Sequence, residues 1–293
     1  MTVTVAALGM TGCAAPGTTV PPAAASPSGP SPDAHQALRD SVSALRTGDY
    51  SFTRTGADSV ADIRRGSLRL PGSVLLEYAE TAATMRVDGA TYLRYALHGT
   101  GELREQYLQY YKKSVKPEQL RELEQIYTLL DGARWVRADE KRLTEAAAVD
   151  EQSGLDYMAA MPTTEKPDAT GAGSLIAAVT SAERSGEAIT GTLDATRKDP
   201  ELELLFSDPA YLYGPGAKAM PFRATLDDQG RLTEFTVTMP SQQMASQPPD
   251  PVDPEPPLVI TISGYGATEP LSAPKDAATL PTLAYDLLAR DTD

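Results

Sequence analysis

The sequence MRVDGATYLR at residues 85–94 has the pattern of a β-hairpin. Apolar and polar residues alternate before Asp88-Gly89, a dipeptide that favours the tight turn between two antiparallel strands. The same alternation recurs through residues 50–97, where Pro71-Gly72 gives a second turn signal. This part of the chain is therefore predicted to form antiparallel strands joined by short turns.

Strand patterns return in the second half of the chain. Alternating or β-branched runs are separated there by turn residues, of which Asp227-Asp228-Gln229-Gly230 is the clearest group. The strands predicted after the first region are Trp135-Val136, Ala188–Ala195, Phe222–Leu226, Leu232–Met239 and Leu258–Ser263.

Apolar residues at helical spacing precede and interrupt these strands. Ser31-Pro32 supplies an N-cap residue and a proline at the first helical position, and the helix that follows is predicted to close at Gly48. Further helices are predicted for Glu102–Lys113, from Pro117 to just before Gly132, for Leu155–Met161 and for Ser174–Thr180. Strands and helices in this order predict an α+β fold.

An acidic, proline-rich loop is predicted between the last two of these strands. Residues 247–257 are QPPDPVDPEPP, and their six prolines can form neither a helix nor a central strand. Asp250, Asp253 and Glu255 carry carboxylates of the kind that bind calcium, but the loop lacks the glycine and the bidentate glutamate of a calcium loop. We therefore expect an exposed loop and no metal site.

Composition excludes several classes of function. The chain has 26 Lys and Arg against 40 Asp and Glu, a net charge of -14 that would repel phosphate backbones, so we expect no nucleic-acid partner. Cys13 is the only cysteine and there are only two histidines. An internal disulfide, a cysteine zinc site and a histidine-rich metal centre are therefore not expected.

Residues 1–13 are predicted to be a targeting segment. An uncharged run of apolar and small residues ends at Cys13. Met10-Thr11-Gly12-Cys13 resembles the bacterial lipobox, whose cysteine receives a diacylglyceryl group and fatty acids such as palmitate and becomes the first residue of the mature protein. Met10 stands where leucine is usual, and no Lys or Arg precedes the apolar run, so we expect the true start codon to lie upstream. The alternative is a cytosolic protein with an apolar N-terminal tail.

Residues 14–32 are predicted to be a disordered tether. This stretch is rich in Pro, Ser, Thr, Ala and Gly, and it cannot bury enough apolar surface to fold. A cysteine, a tether and then a folded domain is the layout of a secreted lipoprotein on the extracytoplasmic face of the cell membrane. Acyl chains on Cys13 would anchor it there, at about 0.8 kcal/mol for each buried CH₂.

No residue pattern predicts catalysis. His98 lies after a predicted strand, where a solvated loop residue is expected more often than a catalytic base, and no nucleophile elbow, phosphate-binding loop or dinucleotide fingerprint is present. Acidic pairs such as Asp139-Glu140 and Glu201 with Glu203 are expected on solvated faces. An enzyme of unrecognised type is the weakest alternative.

The tyrosines are the more informative feature. Thirteen of the eighteen aromatic residues are tyrosine, and Tyr107, Tyr110, Tyr111 and Tyr127 fall in two consecutive predicted helices. Tyrosine combines an apolar ring with a polar tip, so these residues suit either the mouth of an apolar pocket or the edge of an ordinary core.

Three short stretches resemble a known family. They are residues 85–94, residues 133–137 (ARWVR) and residues 258–266 (LVITISGYG) with Pro270 and Pro274 after them. Together with the order of elements, they resemble the LppX/LprG-type lipoproteins of actinobacteria from about Asp33 to the C-terminus. The resemblance implies a LolA-like fold, in which a strongly curved antiparallel sheet, or half-barrel, cups several helices. It also implies binding and transfer of acylated lipids or lipoglycans in the cell envelope.

These expectations define a candidate site in one half-barrel domain, residues 33–293. We expect a hydrophobic ligand cavity lined by Leu76, Tyr78, Val87, Leu103, Tyr107, Tyr111, Leu123, Ile126, Tyr127 and Leu130, although all of these residues could equally be packed core. The expected protein is a monomeric, lipid-anchored carrier without cofactor or catalytic residues. The alternative is an interaction or sensing lipoprotein of the envelope with a filled core and no lipid ligand.

Overall fold

The structure is a computed structural model that describes residues 33–56, 63–79, 82–149, 161–206, 208–242 and 255–291. The predicted targeting segment with Cys13, the predicted tether, all but Met161 of the helix predicted at Leu155–Met161, and most of the acidic loop at residues 247–257 lie outside the described residues.

Twelve strands are described. They are β1 Asp49–Thr55, β2 Arg65–Arg69, β3 Ser73–Ala79, β4 Ala82–Val87, β5 Ala90–Arg94, β6 Val136–Ala138, β7 Val179–Ser185, β8 Ala188–Leu193, β9 Met220–Leu226, β10 Leu232–Val237, β11 Leu258–Ser263 and β12 Ala278–Thr279. The helices are α1 Ala34–Ser41, α2 Gly101–Ser114, α3 Leu120–Leu129, α4 Glu140–Ala147, α5 Ala172–Ala177, α6 Pro200–Phe206, α7 Pro209–Tyr213 and α8 Thr282–Leu288. Shorter 3₁₀ turns are Ser43–Thr47, Pro117–Gln119 and Gly214–Ala219.

The strands form one large, open, curved sheet in the order β12-β6-β5-β4-β3-β2-β1-β11-β10-β9-β8-β7. All neighbours are antiparallel except β12 and β6, which are parallel. The predicted combination of a curved antiparallel sheet with helices is confirmed at this level. β1 pairs with β11 in the middle of the sheet, so an early strand lies beside a late one.

Side-chain alternation divides the sheet into a helix-covered face and an outer face. In β1, Tyr50 and Phe52 are buried on the helix-covered face while Thr53 and Thr55 are exposed. The same face carries Leu68, Leu76 and, across the central pair of strands, Ile260, Phe235 and Ala224, all of which belong to the main hydrophobic cluster with residues of the helices. This face of the sheet is therefore the floor of the core.

The outer face has a smaller apolar cluster of its own. Met85, Val87 and Tyr92 are buried there, and Leu271 and Ala277 from the connection between β11 and β12 pack over them. This connection leaves β11 in the middle of the sheet, donates a hydrogen bond from the Thr268 amide to Asp49 Oδ1 (3.0 Å), and reaches one edge of the sheet at β12.

The hairpin predicted at residues 85–94 is confirmed as β4 and β5. Asp88 and Gly89 both have positive φ, 49° and 77°, as a type I′ turn requires. The hairpin predicted at Asp227–Gly230 joins β9 and β10 as expected.

Several predicted boundaries are wrong. The N-cap of α1 is Asp33, two residues after the predicted one, and its side chain accepts from the His35 amide (3.3 Å). The helix ends at Ser41, and a 3₁₀ turn completes the path to Gly48. The helix predicted at Ser174–Thr180 is α5, followed at once by edge strand β7. That strand has only one buried residue, so it shows no apolar alternation to recognise.

Other elements escape sequence patterning altogether. Asp139 and Glu140 are exposed, as expected, but Asp139 is also the N-cap of an unpredicted helix, α4, and accepts a hydrogen bond from the Arg142 amide (3.1 Å). The helices α6, α7 and α8 have only five to seven residues each, too short to show a helical period over several turns.

Candidate functional site

His98 lies at the centre of a buried polar cluster. It follows β5 in a turn, has a positive φ of 58°, and only 3% of its side chain is exposed. The expectation that His98 is a solvated loop residue is therefore wrong. Its surroundings come from α2, α3 and the C-terminal residues after α8.

Contacts with α2, with α3 and with Asp291 hold the imidazole and the backbone of His98. Tyr127 of α3 places its hydroxyl 2.9 Å from Nδ1, and the Tyr107 ring of α2 stacks on the imidazole with 4.4 Å between centroids. The Asp291 Oδ1 atom lies 3.7 Å from Nε2, while the backbone amide of His98 donates to Asp291 Oδ2 (3.1 Å). One residue thus connects two helices and the C-terminal segment.

Burial determines the protonation of this cluster. Desolvation lowers the pKa of His98, Arg104 lowers it further, and the Asp291 carboxylate partly opposes both effects. Desolvation also raises the pKa of Tyr127, which keeps its phenol protonated. The favoured arrangement is a neutral imidazole that accepts a hydrogen bond from Tyr127 at Nδ1 and directs Nε2 towards Asp291. No serine or cysteine is among the contacts described for His98, so these contacts do not assemble a nucleophile and base.

Helix α2 is held mainly by polar contacts. None of its fourteen residues is buried. Arg104 donates to the Tyr127 and Leu130 carbonyls at the end of α3 and lies over the Tyr127 ring at 4.9 Å. Leu108 and Tyr111 are partly buried against the core, and Lys112 forms an ion pair with Glu124 of α3 (3.1 Å). The helices α2 and α3 therefore form a hairpin in which only α3 inserts fully into the core.

The ten predicted cavity residues do not form one lining. Six of them are buried in the main cluster, namely Leu76, Tyr78, Leu123, Ile126, Tyr127 and Leu130. Tyr111 packs against this cluster from α2 and is only partly buried. Val87 belongs to the cluster on the outer face. Leu76 of β3 pairs with Thr84 of β4, and Val87 is three residues further along β4, so its side chain points to the opposite face of the sheet. Leu103 and Tyr107 are exposed, by 57% and 39%.

A non-helical segment also covers the floor of the core. Residues 161–171 pass over the helix-covered face, where the Tyr50 hydroxyl donates to the Pro167 carbonyl (2.7 Å) and accepts from the Ala169 amide (2.9 Å). Buried Arg54 donates to the Thr170 carbonyl (3.0 Å). Polar side chains of β1 thus satisfy the backbone of a segment that contains no regular secondary structure before α5.

Within the described part of the chain, no group of three His, Cys, Asp or Glu side chains could hold a metal ion. No helix among those residues is long and apolar enough to cross a membrane. A comparison with models of known protein families finds none that matches this chain, and no curated protein matches it either.

Proposed function

We propose that this protein is a lipid-anchored envelope protein that binds the acyl chains of a lipid or lipoglycan between the helix-covered face of the sheet and the hairpin α2–α3. The observation that supports it most is the attachment of this hairpin. The amphipathic helix α3 buries Leu123, Ile126 and Tyr127 in the same cluster as the apolar sheet face, and the neighbouring helix α2 has no buried residue.

Such a cover can move at modest cost. Displacing α2 would uncover no fully buried residue of its own, while the contacts of Arg104 with carbonyls of α3 would be exchanged for water and the Tyr107 ring would leave the His98 imidazole. An acyl chain that took the place of contacts made by Leu123 and Ile126 would gain about 0.8 kcal/mol for each CH₂ it buried. About ten buried methylenes would supply roughly 8 kcal/mol, enough for binding without any polar contact.

The LolA-like identity of the half-barrel belongs to the same proposal. In it, Cys13 carries the diacylglyceryl group, residues 14–32 separate the domain from the bilayer, and the domain acts as a carrier or transfer protein. The short motifs at residues 85–94 and 258–266 support this identity, because both fall on paired strands of the curved sheet.

Lipid extraction of the purified full chain, followed by mass spectrometry, tests the proposal. We expect a bound acyl species, and we expect uptake of a fluorescent fatty acid when the protein is supplied empty. Ile126→Trp should abolish this uptake because the indole fills the space under α3. Thr128→Trp is the matched control, since Thr128 is exposed on the same helix.

Unfolding in urea shows whether both variants are folded. If Ile126→Trp is unstable, lipid extraction and fatty-acid uptake by the wild-type protein still test the proposal. Repeated isolation without lipid, together with no uptake from fatty acid in excess, would contradict the proposal.

One observation favours a second candidate, an envelope interaction or sensing lipoprotein with a filled core. Residues 161–171 lie on the floor of the core and are hydrogen-bonded to it by Tyr50 and Arg54. In a filled half-barrel this segment would occupy the space that a ligand needs. A protein that stays empty in the uptake experiment supports this second function.

A further inference from the structure

The outward side of α2 carries a largely exposed apolar stripe, of which only Tyr107 reaches the core side, where its ring stacks on His98. Leu103, Tyr107 and Tyr110 are spaced at i, i+4 and i+7 and therefore share one helix face. Their exposed fractions are 57%, 39% and 64%, which places all three among the exposed large hydrophobic residues of the described chain. The stripe runs beside the edge of α2 that packs on the core through Leu108 and Tyr111.

Lysines follow the stripe at its C-terminal end. Lys113 is one turn from Tyr110 and Lys116 lies just beyond the helix, and both are exposed. Lys112 is partly engaged by Glu124. Three lysines within residues 112–116 contrast with the net charge of -14 of the whole chain. Aromatic rings with polar tips next to lysines are the combination that suits the boundary between headgroups and acyl chains.

We propose that the α2 stripe, Leu103, Tyr107 and Tyr110, docks the domain on an anionic membrane surface with Lys113 and Lys116 on the lipid phosphates. This inference rests on the lipid anchor of the proposed function. A flexible chain of the length of residues 14–32 would span about 24 Å (root mean square), so a domain anchored through it would stay within reach of the bilayer.

A membrane fits this surface better than a second copy of the chain. Stable protein interfaces bury about 1,200 Å² or more in total, far above what three side chains on one helix provide. A membrane needs no matching shape, and its anionic headgroups complement the two exposed lysines. Glu102 and Glu105 flank Leu103 in the N-terminal half of α2, so the docked helix would tilt with Tyr110 and Lys113 nearest to the bilayer. Docking by α2 would also bring the hairpin α2–α3, the proposed cover of the lipid site, to the membrane that supplies the lipid.

Vesicle flotation of the full chain tests the proposal. The protein carries Cys13→Ser to prevent acylation, and the vesicles contain phosphatidylcholine alone or equal parts of phosphatidylcholine and phosphatidylglycerol. We expect binding to the anionic vesicles that weakens with salt. The double variant Leu103→Ser, Tyr110→Ser should weaken binding to the anionic vesicles about tenfold. The double variant Lys113→Gln, Lys116→Gln should weaken this binding about fivefold for each lysine replaced.

Two matched double variants serve as controls. Val149→Ser with Tyr211→Ser changes exposed apolar residues elsewhere (69% and 53% exposed), and Lys198→Gln with Lys218→Gln changes exposed lysines elsewhere. The apolar run before Cys13 is common to all proteins, so only the differences count. Equal vesicle binding by stripe and control variants would overturn the proposal.

Sedimentation of the same proteins distinguishes the rival occupant. A wild-type dimer that becomes a monomer with the stripe variant would make this face a self-interface and overturn membrane docking. Fatty-acid uptake is measured in parallel. If vesicle binding depends on the stripe but the protein takes up no fatty acid, membrane docking is supported and the carrier function is contradicted.

Discussion

At the scale of single residues, His98 is the best-constrained polar group of the candidate site. Its ring contacts Tyr127 and Tyr107, and its backbone amide donates to Asp291. Each contact comes from a different segment, so the imidazole serves as a shared partner that holds α2, α3 and the C-terminal residues in one arrangement.

Tyr127→Phe should lower the free energy of unfolding by about 1–3 kcal/mol, because it leaves the buried Nδ1 atom of His98 without its hydrogen bond. Tyr110→Phe is the matched control, since its side chain is 64% exposed, and should change little. Urea unfolding measures both values. Equal stability of the two variants would mean that the Tyr127 hydroxyl contributes nothing.

Stability should also depend on the protonation of His98. Burial lowers its pKa in the folded state below the value of about 6.5 of an unfolded histidine. Below pH 6.5 the unfolded chain therefore binds the proton first, and the free energy of unfolding falls as the pH drops towards the folded-state pKa. Asp291 opposes this trend, while Arg104 reinforces it.

The measurement compares unfolding between pH 5 and pH 7.5 in wild type, His98→Gln and His35→Gln. We expect wild type and His35→Gln to lose stability in parallel as the pH falls, whereas His98→Gln lacks this component. A His98→Gln curve parallel to wild type would show that the His98 pKa is not lowered.

The environment of His98 could not be predicted from the sequence. Its carboxylate partner, Asp291, is 193 residues away in the chain, and the local sequence LHGTG at residues 97–101 indicates only a loop. By contrast, Leu123, Ile126 and Leu130 were predictable as inward-facing because their spacing on a helix fixes one face without any knowledge of the partner. Whether such a face meets ligand or protein is a tertiary property that spacing does not encode.

At the scale of elements, close packing in the middle of the sheet depends on a glycine in β2. A Cβ atom built on Gly66 would lie 2.1 Å from Phe52 Cε1 of the neighbouring strand. Phe52 therefore covers the position where a side chain of β2 would stand, and it fills the floor of the core at this point.

Gly66→Ala should destabilise the protein by about 1–3 kcal/mol, because the Phe52 ring is forced out of its place. Gly72→Ala is the matched control, since its Cβ atom would meet only the Arg69 carbonyl at 3.6 Å. Adding Phe52→Leu to Gly66→Ala should recover part of the loss. An additive double variant, with no recovery, would contradict the steric explanation.

The attachment of α2 gives a prediction for hydrogen exchange. Amides of α2 should exchange faster than those of α3, because α2 has no buried residue and α3 has three. Arg104→Gln removes the contacts with the α3 carbonyls and should accelerate exchange in α2 further, whereas Arg121→Gln on the exposed side of α3 should not. Equal protection of the two helices would remove the main support for a movable cover.

Strong local signals made some elements predictable. The strands β4 and β5 were predicted because Asp88-Gly89 fits a positive-φ turn and Met85 and Val87 alternate with polar residues. Strand β7 was missed because its position at the edge of the sheet leaves six of its seven residues outside the buried class. The pairing of β1 with β11 in the middle of the sheet could not be predicted, because no local signal specifies a partner about 200 residues away.

At the scale of the whole molecule, the C-terminal residues pair and pack with strands and helices from the first half of the chain. The strands β2–β6 lie on one side of β1, and β7–β11 lie on the other side. After β11, the chain crosses the outer face, forms β12 beside β6 and adds α8, where the Tyr285 hydroxyl accepts from the Asp139 amide (2.8 Å). The two sides of the sheet are thus joined both at β1–β11 and by the C-terminal residues.

This connectivity predicts one cooperative unfolding transition. Trp135, the only tryptophan, packs in the outer-face cluster near the β6 edge, with the Arg94 guanidinium 5.2 Å from its ring centroid. Its fluorescence therefore reports one end of the sheet, while far-ultraviolet circular dichroism reports all strands. We expect the two signals to change at the same urea concentration, since neither side of β1–β11 keeps a complete core when the other unfolds.

Leu271→Ser, which loosens the segment that crosses the outer face, should lower the urea midpoints of both signals together. A tryptophan transition that precedes the dichroism change would instead mean that β3–β6 unfold as a separate unit, in which case the α2–α3 cover could open with its own part of the sheet.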